Sequence, residues 1–448
     1  MDRLKDLAGE VVRQARRSGA SEADALIQEE EAFSVAVRLG EVETLKESVS
    51  RTLLLRVFDG KRTAASQTSD LSPEVVRRLV AETVEMARLT SEDSMSGLPD
   101  AELFQSNFPD LELEDTSWSH LEPSERIDMA RRAEAASMAA DKTIVNSEGG
   151  SFDYARTRTI LANSHGFLGD YSGTSGTLAA VPIAQKDGAM ERDYWFSTAR
   201  RLNQLETPED VGRRAAERVL RRMGARKAKT CEAAVVFDPM TARALIGHVF
   251  QAVAGDAIYR RGSFLVDRIG SPIAASAIHV VDNALLKGGL GSSPFDDEGI
   301  PTQVTRVIEA GQLTSYLHSA YTARKLGSRP TGNGNRTGSG SVMVGATNFY
   351  LQPGNTKPEE IISSVKSGLY VTELIGPGVN LVNGDYSRGA AGVWIENGKL
   401  THPVHEITIA GNLAQILLDI DMIGNDLRFL GSVAAPTLRV SRLIISGE

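Results

Sequence analysis

Seven histidines and one cysteine carry the obvious chemistry in this 448-residue chain: His120, His165, His248, His279, His318, His402, His405 and Cys231. A zinc peptidase helix needs two histidines on one face and a glutamate between them as general base. No His-Glu-x-x-His occurs, and His405-Glu406, the one His-Glu pair, has no histidine after it. His402 and His405 flank Pro403 in a strand-like segment. Residues three apart on a strand point to opposite faces, so a shared metal is not expected there. Cys231 opens an apolar run with no histidine nearby in sequence and reads as a structural thiol.

Other motifs fall short for stated reasons. Gly338-Ser339-Gly340-Ser341 lacks the spacing of a serine-hydrolase elbow, and no helix follows it. The run 288–293 (GGLGSS) lacks the Lys-Ser/Thr ending of a phosphate loop. Asp296-Asp297-Glu298-Gly299 lacks the regular ligand spacing of an EF-hand and is expected as a solvated turn. The residues by themselves therefore define no active site.

The elements that would position such residues are easier to read. Asp2 can cap a first helix in which Leu4, Leu7, Ala8, Val11, Val12 and Ala15 recur at three- and four-residue spacing, and Gly19 stops it. Strand-like runs follow at 23–28, 33–38, 42–49 and 51–58, the last ending in the hairpin signal Asp59-Gly60. Ser72-Pro73 opens a second helix, with proline in its first turn. Residues 92–121 are polar and acidic and read as a long connection. Glu122-Pro123-Ser124 opens a third helix, and strands are expected at 143–146, 152–162 and 166–180. A fourth helix over 208–223 carries Arg213, Arg214, Arg218, Arg221 and Arg222, read as a solvated basic face.

The polar stretch 224–229 suggests a domain boundary, giving units 1–224 and 225–448. Beyond it, 233–237 is an apolar strand and Asp238-Pro239 starts a helix. The rest reads as strands and glycine-rich turns, with one short helix at 358–367. Helices mix with antiparallel strands without regular β-α alternation, so an α+β fold is expected. The second unit should be strand-rich, with a barrel-like or sandwich sheet carrying the 239–255 helix.

Composition bounds the function. With 41% hydrophobic and 24% charged residues, the chain has the make-up of a soluble globular protein. A formal net charge of -9 argues against general nucleic-acid affinity. A single cysteine, a charged amphipathic opening segment unlike a signal peptide, and no run of 18 apolar residues make the cytoplasm the expected location.

Four stretches carry a resemblance to a known family: 237–265 (FDPMTARALIGHVFQAVAGDAIYRRGSFL), 289–303 (GLGSSPFDDEGIPTQ), 346–354 (ATNFYLQPG), and 368–413, which contains GDYSRGAAGVWIENGKLTHPVHEITIAGN. Together they resemble the TldD/PmbA peptidase family. Looser similarity, through the opening helix and Asn163-Ser164-His165-Gly166, extends it to nearly the whole chain. TldD-type members carry a His-Glu-x-x-x-His helix and a downstream cysteine that completes a zinc site; PmbA-type (TldE) members lack them. Anchored on Gly255-Asp256, the family's ligand positions fall on Ile246, Gly247 and Gln251, none able to serve. His248 is off this register by two and reads as a satisfied helix histidine, and no cysteine follows Cys231. The resemblance is therefore to the PmbA type.

What the resemblance implies is a non-catalytic subunit of a heteromeric TldD–PmbA metallopeptidase that trims unfolded or extended peptides, among them a microcin precursor and an antitoxin. The family's older name is modulator of DNA gyrase. Zinc is expected in the TldD-type partner and none in this chain. This chain would hold an extended substrate by backbone hydrogen bonds, with 370–392 as a wall and Tyr386 and Arg388 as polar contacts. Two other readings stand beside it. One is a homodimeric peptide-binding or scaffold protein, since isologous dimers are the commonest assembly. The other is a peptidase with a relocated site at His402, His405 and Glu406, or at the acidic turn 296–298.

Overall fold

The structure, a computed structural model, describes residues 2–447. The first half of the chain runs α1 (Arg3–Arg17), β1 (Glu22–Arg38), β2 (Glu41–Asp59), β3 (Arg62–Thr68), α2 (Pro73–Leu89), α3 (Pro123–Met138), β4 (Ile144–Asn163), β5 (Leu168–Lys186), β6 (Ala189–Arg192), β7 (Trp195–Ala199) and α4 (Pro208–Leu220). Its strands form one seven-stranded sheet in the order β3-β2-β1-β4-β5-β6, with β7 also on β5. All pairs are antiparallel.

The two faces of this sheet have separate jobs, and strand alternation decides which residue does which. On β1, Ala25, Ile27, Phe33 and Val35 point to the helical layer. Ala25 and Ile27 pack with Val11 and Val12 of α1 and Val80 and Val84 of α2. Phe33 and Val35 pack with Ala130 and Ala133 of α3 and Val211 of α4. The neighbours Asp24, Leu26 and Gln28 face the other way, toward the second half of the chain. Leu26 there joins Leu54, Leu161, Phe167 and Phe295. Burial on both faces explains why 23–27 is buried throughout.

The second half runs β8 (Cys231–Phe237), α5 (Pro239–Val253), α6 (Gly255–Tyr259), β9 (Val280–Asn283), β10 (Val304–Glu309), β11 (Gln312–Leu313), α7 (Ala320–Leu326), β12 (Gly334–Arg336), β13 (Val342–Val344), β14 (Phe349–Leu351), α8 (Pro358–Ser363), β15 (Ser367–Ile375), β16 (Asp385–Glu396), β17 (Lys399–Asn412), α9 (Leu413–Leu418), β18 (Ile420–Ile423), β19 (Val433–Ala434) and β20 (Leu438–Ser446). Strands β17-β16-β15-β8-β20 follow one another, and β17 also pairs with β20, so five strands close into a ring. Only β15–β8 is parallel within it. A second sheet, β11-β10-β9-β14-β19, lies beside the ring. The main core gathers Val235, Phe237, Leu369, Val371, Ile407, Leu438 and Val440 of the ring with Leu245, Ile246 and Val249 of α5.

The fold is α+β, as the mixture of elements implied. Several local expectations need correction. The runs 23–28 and 33–38 are one 17-residue strand, and 42–49 and 51–58 one 19-residue strand. The segments 143–146 and 152–162 likewise join in the 20-residue β4. In β1 the acidic run Glu29-Glu30-Glu31 breaks the apolar pattern without breaking the β1–β2 ladder. The helix expected at 358–367 stops at Ser363, and α7 and α9 are short helices within the region read as strands and turns. Among the described residues, no helix is long and apolar enough to cross a membrane.

Candidate functional site

The helix-free face of the large sheet meets the second half along a polar seam, and two hollows open along it. The first, about 630 Å³, lies between Thr157, Thr159, Tyr171 and Thr198 of the sheet and Asp297, Asn335 and Thr347 opposite. The second, about 510 Å³, lies between Tyr194 before β7, Met240, Arg243 and Ala244 of α5, and Leu374 and Arg388 of β15 and β16. Both are bordered by Gly431 and Ser432, so they meet at that segment. A larger hollow, about 960 Å³, sits under the connection 108–115 and borders none of the candidate residues.

Three arginines, Arg56 and Arg218 buried and Arg200 half-buried, tie the two halves of the chain together. Arg200, after β7, donates to the carbonyls of Gly289 (2.8 Å) and Leu290 (2.9 Å). Burial holds its pKa below the usual guanidinium value. Gly291 is needed in that loop, because a Cβ there would lie 2.1 Å from the Thr347 carbonyl oxygen. Arg218 of α4 donates to Asp193 and Asp238, both at 3.3 Å, and to the Thr372 carbonyl at 3.1 Å. Asp238 in turn caps α5, accepting from the Thr241 amide at 2.8 Å. Burial raises the Asp238 pKa against the opposing pull of Arg218. Arg56 of β2 bridges Asp24 (2.6 Å) and Glu298 (3.3 Å).

These contacts overturn two expectations. Residues 296–298 are a buried plug, with Asp296 5% and Glu298 2% exposed. Asp296 accepts from the amides of Glu298, Ile300 and Gly334, which fixes the turn from within. Burial, and then the charge of Glu298, drives its pKa well above the carboxylate range. On α4, Arg213 is exposed as expected, but Arg218 is 8% exposed. Its spacing from Val211 and Ala215 places it on the apolar face, a signal that was available in the sequence.

The other sequence candidates separate. Ile246 is fully buried in the core, Gly247 is half-buried, and Gln251 is exposed. Five residues subtend about 140° on a regular helix, so 246 and 251 diverge. A Cβ at Gly247 would meet nothing within 4 Å. His248 is not satisfied. Its Nε2 lies 3.5 Å from Arg388 Nη1, and its buried Nδ1 has no partner. Burial, and then Arg388, lowers its pKa. Tyr386 packs edge-on to His248 with ring centroids 6.2 Å apart. It is 1% exposed, its hydroxyl is unpartnered, and burial pushes its pKa up to about 12. In this arrangement Tyr386 supports the wall from behind, and Arg388 reaches the hollow. From the expected wall 370–392, Thr372, Glu373, Leu374 and Arg388 line it. At the relocated-site candidates, Glu406 is exposed beside Lys227 at 3.6 Å, and His402 lies next to Thr401. Among the described residues, no group of three or more His, Cys, Asp or Glu is placed to hold a metal ion. The residue types at 246, 247 and 251 do not fit zinc either.

Comparison with known proteins places this geometry in a family. Three models match in succession: PmbA/TldA metallopeptidase domain 1 over residues 23–87, the central domain over 117–223, and the C-terminal domain over 230–447. Metalloprotease PmbA of Escherichia coli O157:H7 is 38% identical over 432 residues, covering 96% of this chain and 94% of the relative. A PmbA homologue of Haemophilus influenzae is 32% identical over 446 residues, covering 99% and 96%. The chain belongs to the PmbA/TldD metallopeptidase family. A Bacteroides thetaiotaomicron structure, provisionally named a modulator of DNA gyrase, superposes with a TM-score of 0.93 at 27% identity, and all of both chains is covered. TldE from Thermococcus kodakarensis shares the fold, with a TM-score of 0.89 at 21% identity over 98% of this chain and 100% of that one.

Proposed function

We propose that this chain is the non-catalytic, PmbA-type subunit of a cytoplasmic heteromeric metallopeptidase that acts on unfolded or extended peptides. In it, residues 1–224 form a sheet unit and 225–448 a ring unit. The observation that carries the reading is the surface of α5. The family's ligand register meets a core isoleucine, a glycine and an exposed glutamine there, on the helix whose first turns border the hollow of about 510 Å³. A TldD-type partner would supply zinc, the activated water and the general base. This chain would close the chamber and hold an extended substrate along the polar seam, with Arg388 as a side-chain contact and backbone groups as the rest.

A second reading has support of its own. The relatives that match nearly the whole chain are named metalloproteases, which would suit activity in this chain alone. Zinc content and cleavage of an unfolded peptide, measured for this chain alone and mixed with a TldD-type subunit, separate the two. Activity only in the mixture, with zinc carried by the partner, is expected. Stoichiometric zinc and turnover by the isolated chain would overturn the subunit reading. A stable homodimer that ignores the TldD-type chain would favour the scaffold reading.

A further inference from the structure

The hollow between Tyr194, α5 and β15–β16 has an unbalanced charge. Its carboxylates are already matched: Asp193 lies 3.3 Å from Arg218, and Glu373 lies 2.5 Å from Arg222. Two further guanidiniums line it, Arg243 and Arg388. Neither has a carboxylate within ion-pair distance among the described residues. Arg243 is held only by the Leu430 carbonyl (3.0 Å) and lies over the Phe196 ring at 5.9 Å. Arg388 makes two contacts at 3.5 Å, to the Ile375 carbonyl and to His248 Nε2. His248 is kept toward its neutral form, so it brings no competing cation. Two guanidiniums with donors to spare, in a recess partly shielded from water, make a site for a carboxylate. Arginine is suited to it by its planar fork of donors.

The walls add a second feature. Tyr194 stacks on Phe196 with centroids 6.3 Å apart and remains 39% exposed, and Met240 and Leu374 complete an apolar side. We infer that this hollow is a carboxylate subsite for a peptide, with Arg243 and Arg388 binding the anion and Tyr194, Met240 and Leu374 taking the apolar part of the same residue. The pairing of anion and apolar contact favours a C-terminal residue with its free α-carboxylate. An internal glutamate or aspartate supplies the same chemistry. The inference rests on the peptide-holding reading and gives it a direction, because it fixes one end of the substrate.

Fluorescence anisotropy on the full chain, with its TldD-type partner present, tests this with a labelled unstructured peptide in three forms: free acid, C-terminal amide, and amide with an internal glutamate. The free acid is expected to bind about tenfold or more tightly than the plain amide, the size of one charge-assisted contact. The gap should narrow with added salt. Arg243→Gln with Arg388→Gln should abolish the preference for the acid over the plain amide, and lysine at both positions should restore part of the difference. Tighter binding of the internal-glutamate amide, lost in the glutamine variant, supports the subsite and assigns its anion to a side chain. Equal binding of acid and amides overturns the subsite alone, a comparison that needs no variant to fold. Failure of every form to bind overturns the peptide-holding reading, and the subsite with it.

Discussion

Arg56 on β2 and Glu298 on the loop before β10 lie 242 residues apart in sequence, and the guanidinium donates to Glu298 Oε1 from both terminal nitrogens at 3.3 Å. Both side chains are almost fully buried. Burial opposes the Arg56 charge, but Asp24 and Glu298 outweigh it and raise its pKa. Arg336 adds a second cation beside Asp24 at 2.5 Å, close but not aligned as a hydrogen bond. Glu298 also accepts from the Ala320 amide at 2.8 Å, so the same carboxylate starts α7. This cluster joins the sheet to the second half where the 630 Å³ hollow begins.

Arg56→Met should therefore strand the buried Glu298 carboxylate and leave Asp24 with Arg336 as its one cationic partner. Removing one partner of a buried ion pair costs about 3–5 kcal/mol, read as a lowered urea midpoint. Adding Glu298→Gln should recover part of that loss, because one orphaned charge is removed with its partner. Simple additivity of the two variants would mean that the residues are not coupled.

Two glycines should respond in opposite directions to the same substitution. Gly212 of α4 sits against α3, where an added Cβ would lie 2.3 Å from the Ala133 carbonyl oxygen and 2.8 Å from the Ala136 Cβ. Gly212→Ala should force the helices apart and lower stability by about 1–3 kcal/mol. Gly247 of α5 has open space at its Cβ. Gly247→Ala should raise stability by about 0.5–1 kcal/mol through helix propensity. Thermal melts of the two variants check both signs, and a destabilised Gly247→Ala would show that the space there is needed.

How much of this was legible follows from the same residues. The helices at 3–17 and 73–89 were readable because their apolar stripes pack on one face, and Asp2 and Pro73 mark their starts. The α+β class followed from the element mixture, which left the strand-rich second unit open between a barrel-like and a sandwich sheet. The length of β1 was hidden because Glu29, Glu30 and Glu31 interrupt a pattern that the ladder ignores. The buried plug at 296–298 was hidden because three acids in a row read as solvent-loving unless Arg56, far away in sequence, is known to meet them. Arg388 was singled out on residue type and motif. Arg243, on the stripe of α5 with Met240 and Gly247, needed the packed helix to reveal which side faces the hollow.

His318 gives a pH signature. It is 3% exposed, and burial lowers its pKa to about 4. The unfolded chain takes up a proton near pH 6.5 and the folded one only near 4, so stability falls as pH drops through that window. The loss approaches about 3 kcal/mol below it. Asp282 works the other way, because burial raises its pKa to about 6 and folding gains as it protonates. The effect is therefore read as a difference: the stability gap between the native chain and His318→Asn should shrink or invert on going from pH 7 to pH 4.5. A gap independent of pH would mean that His318 titrates normally.

Arg218 offers the sharpest test of the seam, because it holds Asp193 on one side and the helix-capping Asp238 on the other. Arg218→Met should cost about 3–5 kcal/mol near pH 8, because it leaves both carboxylates without the guanidinium. The Asp238 pKa is already raised by burial with Arg218 present, and without the guanidinium it should climb further. A carboxyl whose pKa is raised takes up a proton more readily as the pH falls, so the deficit against the native chain should be smaller at pH 5 than at pH 8. Arg218→Lys keeps the charge but gives up the fork that also reaches the Thr372 carbonyl, and should fall between the two. Urea midpoints at pH 5 and pH 8 decide it. A deficit under about 1 kcal/mol that does not change with pH would be the behaviour of a solvent-screened surface pair, and would mean that water reaches the seam at this point.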